Sequence, residues 1–287
     1  MNAPEIQFRT VEISDPQYEH EGLRFVTVKS PALRRRADCV VWSPGGSMGH
    51  GPGELKTLLI LLHGVYGSAW TWALKAGVHR TASRMLASAE ISPLAIAMPS
   101  DSLLGDGSAY LTYPGMDVER WIVDEVPALT RLAIPNLRRD ARVAIAGLSM
   151  GGYAALRLGA KYADRFASIS AHSAITDMSQ MSSFVEEPLE SFTGTASVEE
   201  LNPLHWLLRA GDRLPSLRFD CGRADTLIHQ NRLLHESLDA AKVPHHYEEF
   251  TGGHEWPYWA AHLSDTLRHA APPTRIETRV HAPAPPS

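Results

Sequence analysis

The stretch VAIAGLSMGG at residues 143–152 decides the fold of this 287-residue chain. Its apolar first half is typical of a buried parallel strand, and this run stops at Gly147. Ser149 follows between glycines, and the Ala- and Leu-rich segment at 153–160 favours a helix. A strand, a sharp turn and a helix with one nucleophile at the apex form the context that a G-x-S-x-G nucleophile elbow requires.

Steric limits explain the glycines of this turn. We expect a strained backbone at Ser149 and a close approach of strand and helix, so that a Cβ at Gly147 or Gly151 would collide with its surroundings. The turn also places the amide of Met150 at the start of a helix, where the helix dipole favours a developing negative charge.

The chain contains a second match to the same pattern, with Ser47 at its centre. The residues that follow it, His-Gly-Pro-Gly at 50–53, are a poor way to open a helix. We therefore predict a surface loop there, and the context rather than the pattern distinguishes the two serines.

The composition is that of an ordinary globular protein, with 44% hydrophobic residues and a net charge of −5. We expect no nucleic-acid partner, since no basic stripe stands out, and no membrane partner, since no apolar run approaches spanning length. No signal peptide is visible. The two cysteines, Cys39 and Cys221, fall in predicted strands and are expected to be buried free thiols, which suggests a cytoplasmic location.

Hydrophobic periodicity predicts an α/β fold with a mainly parallel sheet and helices on both faces. Strands are predicted at 6–13, 23–30, 37–43, 56–63, 94–98, 142–146, 166–171, 217–221 and 246–250. Helices are predicted at 79–89, 117–133, 228–241 and 255–269, with Asp117 as an N-cap and Pro127 as a kink. The first three strands are expected to form an antiparallel edge.

A single domain is expected over 1–271, followed by a Pro-rich disordered tail at 272–287. The interval 173–214 interrupts the alternation of strands and helices, being polar at first and helix-like at 202–210. We interpret it as a small lid-like insertion beside the elbow, although a surface excursion without function is the alternative.

A serine hydroxyl needs a base within hydrogen-bond reach, and position must select that base among fourteen histidines. Asp225 and His254 each follow a predicted strand, at the sheet edge where Ser149 also emerges and where open parallel sheets bind their ligands. We predict Ser149 as nucleophile, His254 as base and Asp225 as its acid partner, although Asp225 could also cap the next helix. The adjacent pair His245 and His246 suggests a metal site, but neighbouring strand residues point to opposite faces, so no metal is expected.

An oxyanion hole needs two backbone donors, and the predicted donors are the amides of Met150 and Val65, with Tyr66 as the second choice for the latter. His63 would then hold the loop rather than act as a base. Trp70, Trp72 and Trp256 lie near these positions in sequence and are candidates for a substrate pocket, with pocket and core equally open for Trp256.

The chain resembles the esterase D family of α/β-hydrolases, which includes feruloyl, acetylxylan and tributyrin esterases, S-formylglutathione hydrolases and mycolyltransferases. The residues that carry the resemblance are SPAL at 30–33, His63-Gly64 with Gly67 and Trp72, MPSD at 98–101, GLSMGGY at 147–153, GRAD at 222–225, and GGHEW at 252–256 with Trp259. They span roughly residues 20–270 in the family's order. Leu148 stands where S-formylglutathione hydrolases carry a histidine, which disfavours a glutathione substrate.

The resemblance implies an α/β-hydrolase fold and a serine carboxylesterase that needs no cofactor and forms an acyl-enzyme. Short-chain or carbohydrate-linked acyl esters are the expected substrates. An acyltransferase with the same triad, a thioesterase like the S-formylglutathione hydrolases, and a non-catalytic binding protein are the alternatives. The sequence does not select the oligomeric state.

Overall fold

A computed structural model describes residues 6–46, 53–103, 105–193 and 196–273. The predicted loop around Ser47 and all but the first two residues of the predicted tail lie outside these ranges. The strands are β1 (Val11–Ile13), β2 (Leu23–Lys29), β3 (Arg36–Trp42), β4 (Leu55–Leu62), β5 (Ala95–Pro99), β6 (Thr112–Tyr113), β7 (Met116–Asp117), β8 (Leu137–Leu148), β9 (Ser168–His172), β10 (Ser216–Gly222) and β11 (His246–Phe250).

Helices lie between these strands and after the last one. They are α1 (Thr71–Leu74), α2 (Val78–Ala87), α3 (Val118–Arg120), α4 (Val126–Ala133), α5 (Met150–Lys161), α6 (Leu189–Thr193), α7 (Val198–Leu201), α8 (Pro203–Ala210), α9 (Ile228–Ala240) and α10 (Trp256–Ala270). A π-helical segment, Trp121–Glu125, joins α3 to α4. It ends two residues before Pro127, whose missing amide and bulky ring disfavour a continuous α-helix. Asp117 caps α3 by accepting from the Arg120 amide at 2.9 Å, as predicted.

One nine-stranded sheet runs through the molecule in the order β1-β2-β3-β5-β4-β8-β9-β10-β11. The strands from β5 to β11 in this order pair in parallel, whereas β1, β2, β3 and β5 pair antiparallel. The predicted antiparallel edge and mainly parallel centre are therefore confirmed. The first strand is shorter than predicted, beginning at Val11 instead of residue 6.

Both faces of the sheet are covered by apolar side chains. Along β4, Leu58, Ile60 and Leu62 enter the core on one face, and Leu59 and Leu61 enter the core on the other. This explains why β4 shows no alternation of polar and apolar residues. Cys39 and Cys221 are buried free thiols in β3 and β10, as expected. Among the described residues, none of the helices is both long and apolar enough to cross a bilayer.

Candidate active site

The site begins at the turn between β8 and α5, where Ser149 adopts φ 53° and ψ −117°. This combination is unfavourable for a residue with a side chain. The Ser149 amide donates to the carbonyl of His172 on neighbouring β9 at 3.0 Å, and its carbonyl accepts from Tyr153 at 2.9 Å. The parallel neighbour and the first turn of α5 therefore hold the strained serine in place, and the strain predicted from the glycines is confirmed.

The glycines of the elbow are required by close backbone contacts. A Cβ on Gly147 would collide with the backbone of Gly151, and one on Gly151 would collide with the carbonyls of Leu62 and His63 at the end of β4. Backbone atoms cannot move aside as side chains do, so hydrogen is the only side chain that fits. The predicted collisions at both positions are confirmed.

Three side chains from separate strands meet at this turn. His254 Nε2 lies 2.9 Å from Ser149 Oγ, and His254 Nδ1 lies 3.0 and 3.1 Å from the two carboxylate oxygens of Asp225. The side chain of Asp225 is fully buried, while that of His254 is 16% exposed. The three residues form the hydrogen-bonded chain that a serine nucleophile, a base and an orienting acid require.

The loops that carry Asp225 and His254 are tied to each other. Beyond the paired ends of β10 and β11, the Arg223 amide donates to Phe250 and the Ala224 amide donates to Gly252. Gly252 has φ 135°, a region that favours glycine, so it allows the bend that brings His254 back over the sheet edge. Asp225 also accepts from the Leu227 amide at 2.8 Å. It therefore stabilises the turn before α9 while it binds His254.

The environment of Asp225 keeps its carboxyl group ionised. Burial opposes ionisation, but the hydrogen bond and charge of His254 outweigh it, and the pKa of Asp225 lies below its ordinary value. The Ser173 hydroxyl near this carboxylate also lowers the pKa of Asp225, and it accepts from the indole of Trp259 at 3.2 Å. The ring of Trp259 meets that of His254 edge to face at 5.0 Å. Ser173 and Trp259 thus position both partners, and the sequence pattern had not singled out Ser173.

The candidate oxyanion donors differ in whether their backbone amides already donate a hydrogen bond within the protein. Met150 provides the first amide of α5, and first-turn amides have no partner within a helix. Within the described part of the chain, no acceptor contacts the Val65 amide. The amide of Tyr66, the second choice for this donor, instead donates to the carbonyl of Asp106 at 2.9 Å. Tyr66 is therefore not available as a donor, and Val65 is the candidate that remains beside Met150.

The loop after β4 approaches the nucleophile closely because it contains Gly64, whose added Cβ would lie 3.3 Å from that of Ser149. His63 holds this loop: its Nδ1 donates to the carbonyl of Gly64 at 2.7 Å, and its Nε2 accepts from the Asp101 amide at 3.2 Å. Both ring nitrogens are occupied by these bonds. This agrees with the structural role predicted for His63.

The three candidate pocket tryptophans have different environments. Trp72 is 1% exposed and donates from its indole to the carbonyl of Leu62 at 3.0 Å, so it belongs to the core and its prediction as a pocket residue is wrong. Trp70 is 42% exposed and precedes α1. Trp256 is half-buried and packs edge to face on Trp72 and Trp259. Only Trp70 and Trp256 retain surface that a ligand could contact.

The interval 173–214 lies against the site, as its interpretation as a lid requires. Phe184 stacks against the imidazole of His254 at a ring distance of 4.9 Å. Glu187 accepts from the Asp106 amide, and Asp106 accepts from the Glu186 amide at 2.6 Å. Asp106 in turn binds Tyr66 beside the candidate oxyanion loop. Phe184 could not be selected from sequence, since a lone aromatic residue in a polar segment has no periodic signal.

Comparison with known proteins shows that this chain is similar in sequence to esterases. A sequence profile of the family described as "Putative esterase" matches residues 116–270, which include Ser149, Asp225 and His254. An acetyl esterase of Caldicellulosiruptor saccharolyticus is 28% identical over 235 residues, which are 75% of this chain and 82% of that protein.

Solved structures of esterases share the fold. A ferulic acid esterase superimposes with a TM-score of 0.71 at 24% identity, covering 91% of this chain and 98% of that one. The S-formylglutathione hydrolase of Staphylococcus aureus gives a TM-score of 0.70 at 24% identity, covering 85% and 96%. The fluorophosphonate-binding serine hydrolase F of the same organism gives 0.71 at 26% identity, with the same coverage. The fold is that of the α/β-hydrolases.

Proposed function

Because this chain belongs to the putative esterase family, with the features of the esterase D group, and is an ester-hydrolysing serine hydrolase, we propose that Ser149, His254 and Asp225 are its catalytic triad. The observation that carries the proposal is the hydrogen-bonded chain from Asp225 through His254 to Ser149, with spacings of 3.0 and 2.9 Å. The shared loop geometry of Asp225 and His254 supports it further.

The proposed reaction follows from these contacts. Ser149 Oγ attacks the ester carbonyl while His254 Nε2 takes its proton, and Asp225 stabilises the imidazolium that forms. The amides of Val65 and Met150 bind the oxyanion. The C–O bond to the alcohol then breaks and the alcohol leaves with the proton from His254. A water molecule, activated by the same base, adds to the acyl-enzyme and releases the carboxylic acid and free Ser149.

Short acyl groups are the proposed substrates, including acetyl groups on carbohydrates. Ser149 is 2% exposed and the ring of Phe184 lies over its base, so little space is open beside the nucleophile. The 28% identical relative is an acetyl esterase, which agrees with this choice.

A substrate panel tests the proposal with one variant and one matched control. The panel contains p-nitrophenyl acetate, butyrate and octanoate, methyl ferulate, acetylated xylan and S-formylglutathione, with and without added alcohols as acyl acceptors. We expect acetate to be the best of the p-nitrophenyl esters and hydrolysis to exceed transfer. Ser149→Ala should lower kcat by on the order of 10⁶-fold, as the loss of a triad nucleophile does.

Ser47→Ala is the control, because Ser47 is the serine of the second G-x-S-x-G match. It should leave kcat and KM unchanged, and melting curves should show that both variants fold. Full activity of Ser149→Ala, or loss of activity in Ser47→Ala, would contradict the proposed triad. A preference for octanoate would leave the proposed triad in place and overturn the proposed acyl substrate. A preference for an alcohol acceptor would leave the triad in place and overturn the proposed hydrolysis in favour of acyl transfer.

A further inference from the structure

Three potential metal ligands meet where the end of α9 packs beside the start of β11. His235 Nδ1 lies 2.8 Å from His245 Nε2, and the carboxylate oxygens of Asp239 lie 3.5 Å from Nε2 of His235 and 3.9 Å from Nε2 of His245. His235 and Asp239 are four residues apart on α9 and so share one helix face. This cluster lies at the amino ends of the parallel strands β10 and β11, whereas Asp225 and His254 follow their carboxyl ends.

The imidazole of His245 has a fixed orientation. Its side chain is 2% exposed and stacks on Phe219 at 17°, and its Nδ1 lies 2.7 Å from the carbonyl of Val243. A carbonyl can only accept, so Nδ1 carries the proton and Nε2 presents a lone pair toward His235. Histidines that bind metals have this arrangement, in which a backbone carbonyl fixes the tautomer of the ligand.

The second imidazole can adapt to a ligand. His235 stacks on Tyr247 at 4.8 Å, but its side chain is 35% exposed, and that of Asp239 is 64% exposed. Water and ions can therefore reach the cluster from the helix face. Since Nε2 of His245 carries a lone pair, the 2.8 Å contact requires a proton on Nδ1 of His235, and a metal ion could take the place of that proton.

We propose that His235, His245 and Asp239 form a binding site for a divalent transition-metal ion of the zinc type. Imidazole nitrogens and one carboxylate suit Zn²⁺, and a water molecule would complete a four-coordinate site. Bonds of about 2.0–2.1 Å place two nitrogens roughly 3.3 Å apart in tetrahedral geometry, so the exposed ring of His235 has to move by about half an ångström. The bound ion would replace the shared proton and link α9 to the edge strand β11.

His246, the sequence neighbour of His245, is not one of these three ligands. His246 indeed faces elsewhere, with Nε2 3.0 Å from Glu248. The partner of His245 lies ten residues earlier, at a spacing set by the turn between α9 and β11, and this spacing has no simple sequence signature.

Titration of the metal-free full-length protein with ZnCl₂, followed by calorimetry and by the melting temperature, tests the proposal. We expect one ion per chain, a melting temperature that rises with zinc concentration, and reversal by EDTA. His235→Ala and Asp239→Asn, which change exposed side chains, should weaken zinc binding at least by the ~10–100-fold that loss of an outer-shell partner alone causes. His229→Ala is the matched control on the same helix and should bind zinc as the unaltered protein does.

Two outcomes would overturn the proposal. Either the unaltered protein does not bind zinc, or His235→Ala binds it with unchanged affinity and the ion is held elsewhere, for example at His254. The visible absorption of a Co²⁺ complex gives a second readout: tetrahedral bands should form with the unaltered protein and His229→Ala, and not with His235→Ala.

Discussion

The backbone at Ser149 shows how single residues build the site. Its positive φ carries strain on the order of 1–3 kcal/mol, which the amide contact with β9 and the start of α5 offset. The same conformation points Oγ at His254 and lets α5 begin at Met150, whose amide is a proposed oxyanion donor. The backbone conformation of Ser149 thus determines the positions of both the proposed nucleophile and one proposed oxyanion donor.

Gly64→Ala tests the other half of the proposed oxyanion hole. The new Cβ would lie 2.8 Å from Leu148 Cδ1 and 3.3 Å from the Cβ of Ser149, so the loop that carries Val65 must shift by a few tenths of an ångström. We expect kcat to fall roughly tenfold or more, because small misplacements of catalytic groups have large effects on rate. Steady-state kinetics with p-nitrophenyl acetate measures the change.

Gly53→Ala is the matched control, because a Cβ there meets nothing within 4 Å. It should leave kcat unchanged. An unchanged kcat in Gly64→Ala, with the same melting temperature as Gly53→Ala, would show that this loop does not bind the oxyanion.

Some features of single residues in the site can be predicted from sequence, and others cannot. The glycines of the elbow were predictable because their chemistry is local: a tight turn excludes a Cβ whatever the rest of the chain does. The choice between Val65 and Tyr66 was not predictable, because it depends on the carbonyl of Asp106 from a distant loop. The burial of Trp72 likewise depends on helix packing that spacing alone does not encode.

At the scale of elements, the segment between β9 and β10 carries the contacts that shape access to the nucleophile. Its helix α8 packs on α5, and the hydroxyl of Tyr153 on α5 donates to the carbonyl of Leu201 at 2.7 Å. Arg157 on α5 is fully buried and lies 2.8 Å from Glu200. These contacts fix the far end of the segment, while Phe184 extends over His254. The polar composition of residues 178–196 indicated an excursion from the sheet, but it could not indicate which side chain would reach the site.

Phe184→Ala should broaden the range of accepted acyl chains. Removing the ring opens space beside His254 without touching the hydrogen bonds of the triad. We expect the ratio of kcat/KM for p-nitrophenyl octanoate to that for acetate to rise about tenfold, since each added methylene is worth ~0.8 kcal/mol when it is buried.

Leu208→Ala is a suitable control, because this leucine lies on α8 of the same segment and is 45% exposed. It should leave the ratio unchanged. A ratio that does not move in Phe184→Ala, or moves equally in Leu208→Ala, would mean that Phe184 does not limit chain length.

At the scale of the whole molecule, a buried polar network joins the sheet to the C-terminal helix. Asp220 on β10 is fully buried and accepts from the hydroxyl of Tyr258 on α10 at 2.7 Å and from Arg218 at 2.8 Å. His172 on β9 lies 2.8 Å from the same carboxylate. Each partner is buried as well, so the network depends on all its members.

Asp220→Ala should therefore destabilise the protein strongly. It leaves the guanidinium of Arg218 buried without its closest carboxylate, and breaking a buried pair in this way costs about 3–5 kcal/mol of unfolding free energy. Asp164→Ala is the control, because its pair with Arg213 is exposed on both sides and is worth about 0–1 kcal/mol. Urea denaturation measures both, and equal losses would contradict the argument.

The same carboxylate predicts how stability depends on acid. Burial opposes ionisation of Asp220, but the charges and hydrogen bonds of His172 and Arg218 lower its pKa from 3.8 to about 2. A pKa lowered by folding contributes stability that is present above pH 4 and is lost as pH falls toward 2, here roughly 2 kcal/mol. Over that interval, the unfolding free energy of Asp220→Ala should fall less steeply than that of the unaltered protein.

The alternation of strands and helices predicted the fold class because each buried strand and amphipathic helix leaves a periodic pattern. The order of strands left no such pattern. β5 lies between β3 and β4 in the sheet although it follows both in the chain, and this placement depends on which edge the crossover helices cover. Ser149, Asp225 and His254 could still be selected from sequence, because all parallel strands end at one edge whatever their order.

Ser149 and His254 are 105 positions apart in the chain, and this separation has a consequence for the newly made polypeptide. A ribosome delivers the elbow and the β4 loop well before it delivers β10 and β11. Until those last two strands dock, Ser149 lacks both of its proposed partners, His254 and Asp225. With the proposed triad, the hydrolase therefore gains its activity only when the final edge of the sheet closes.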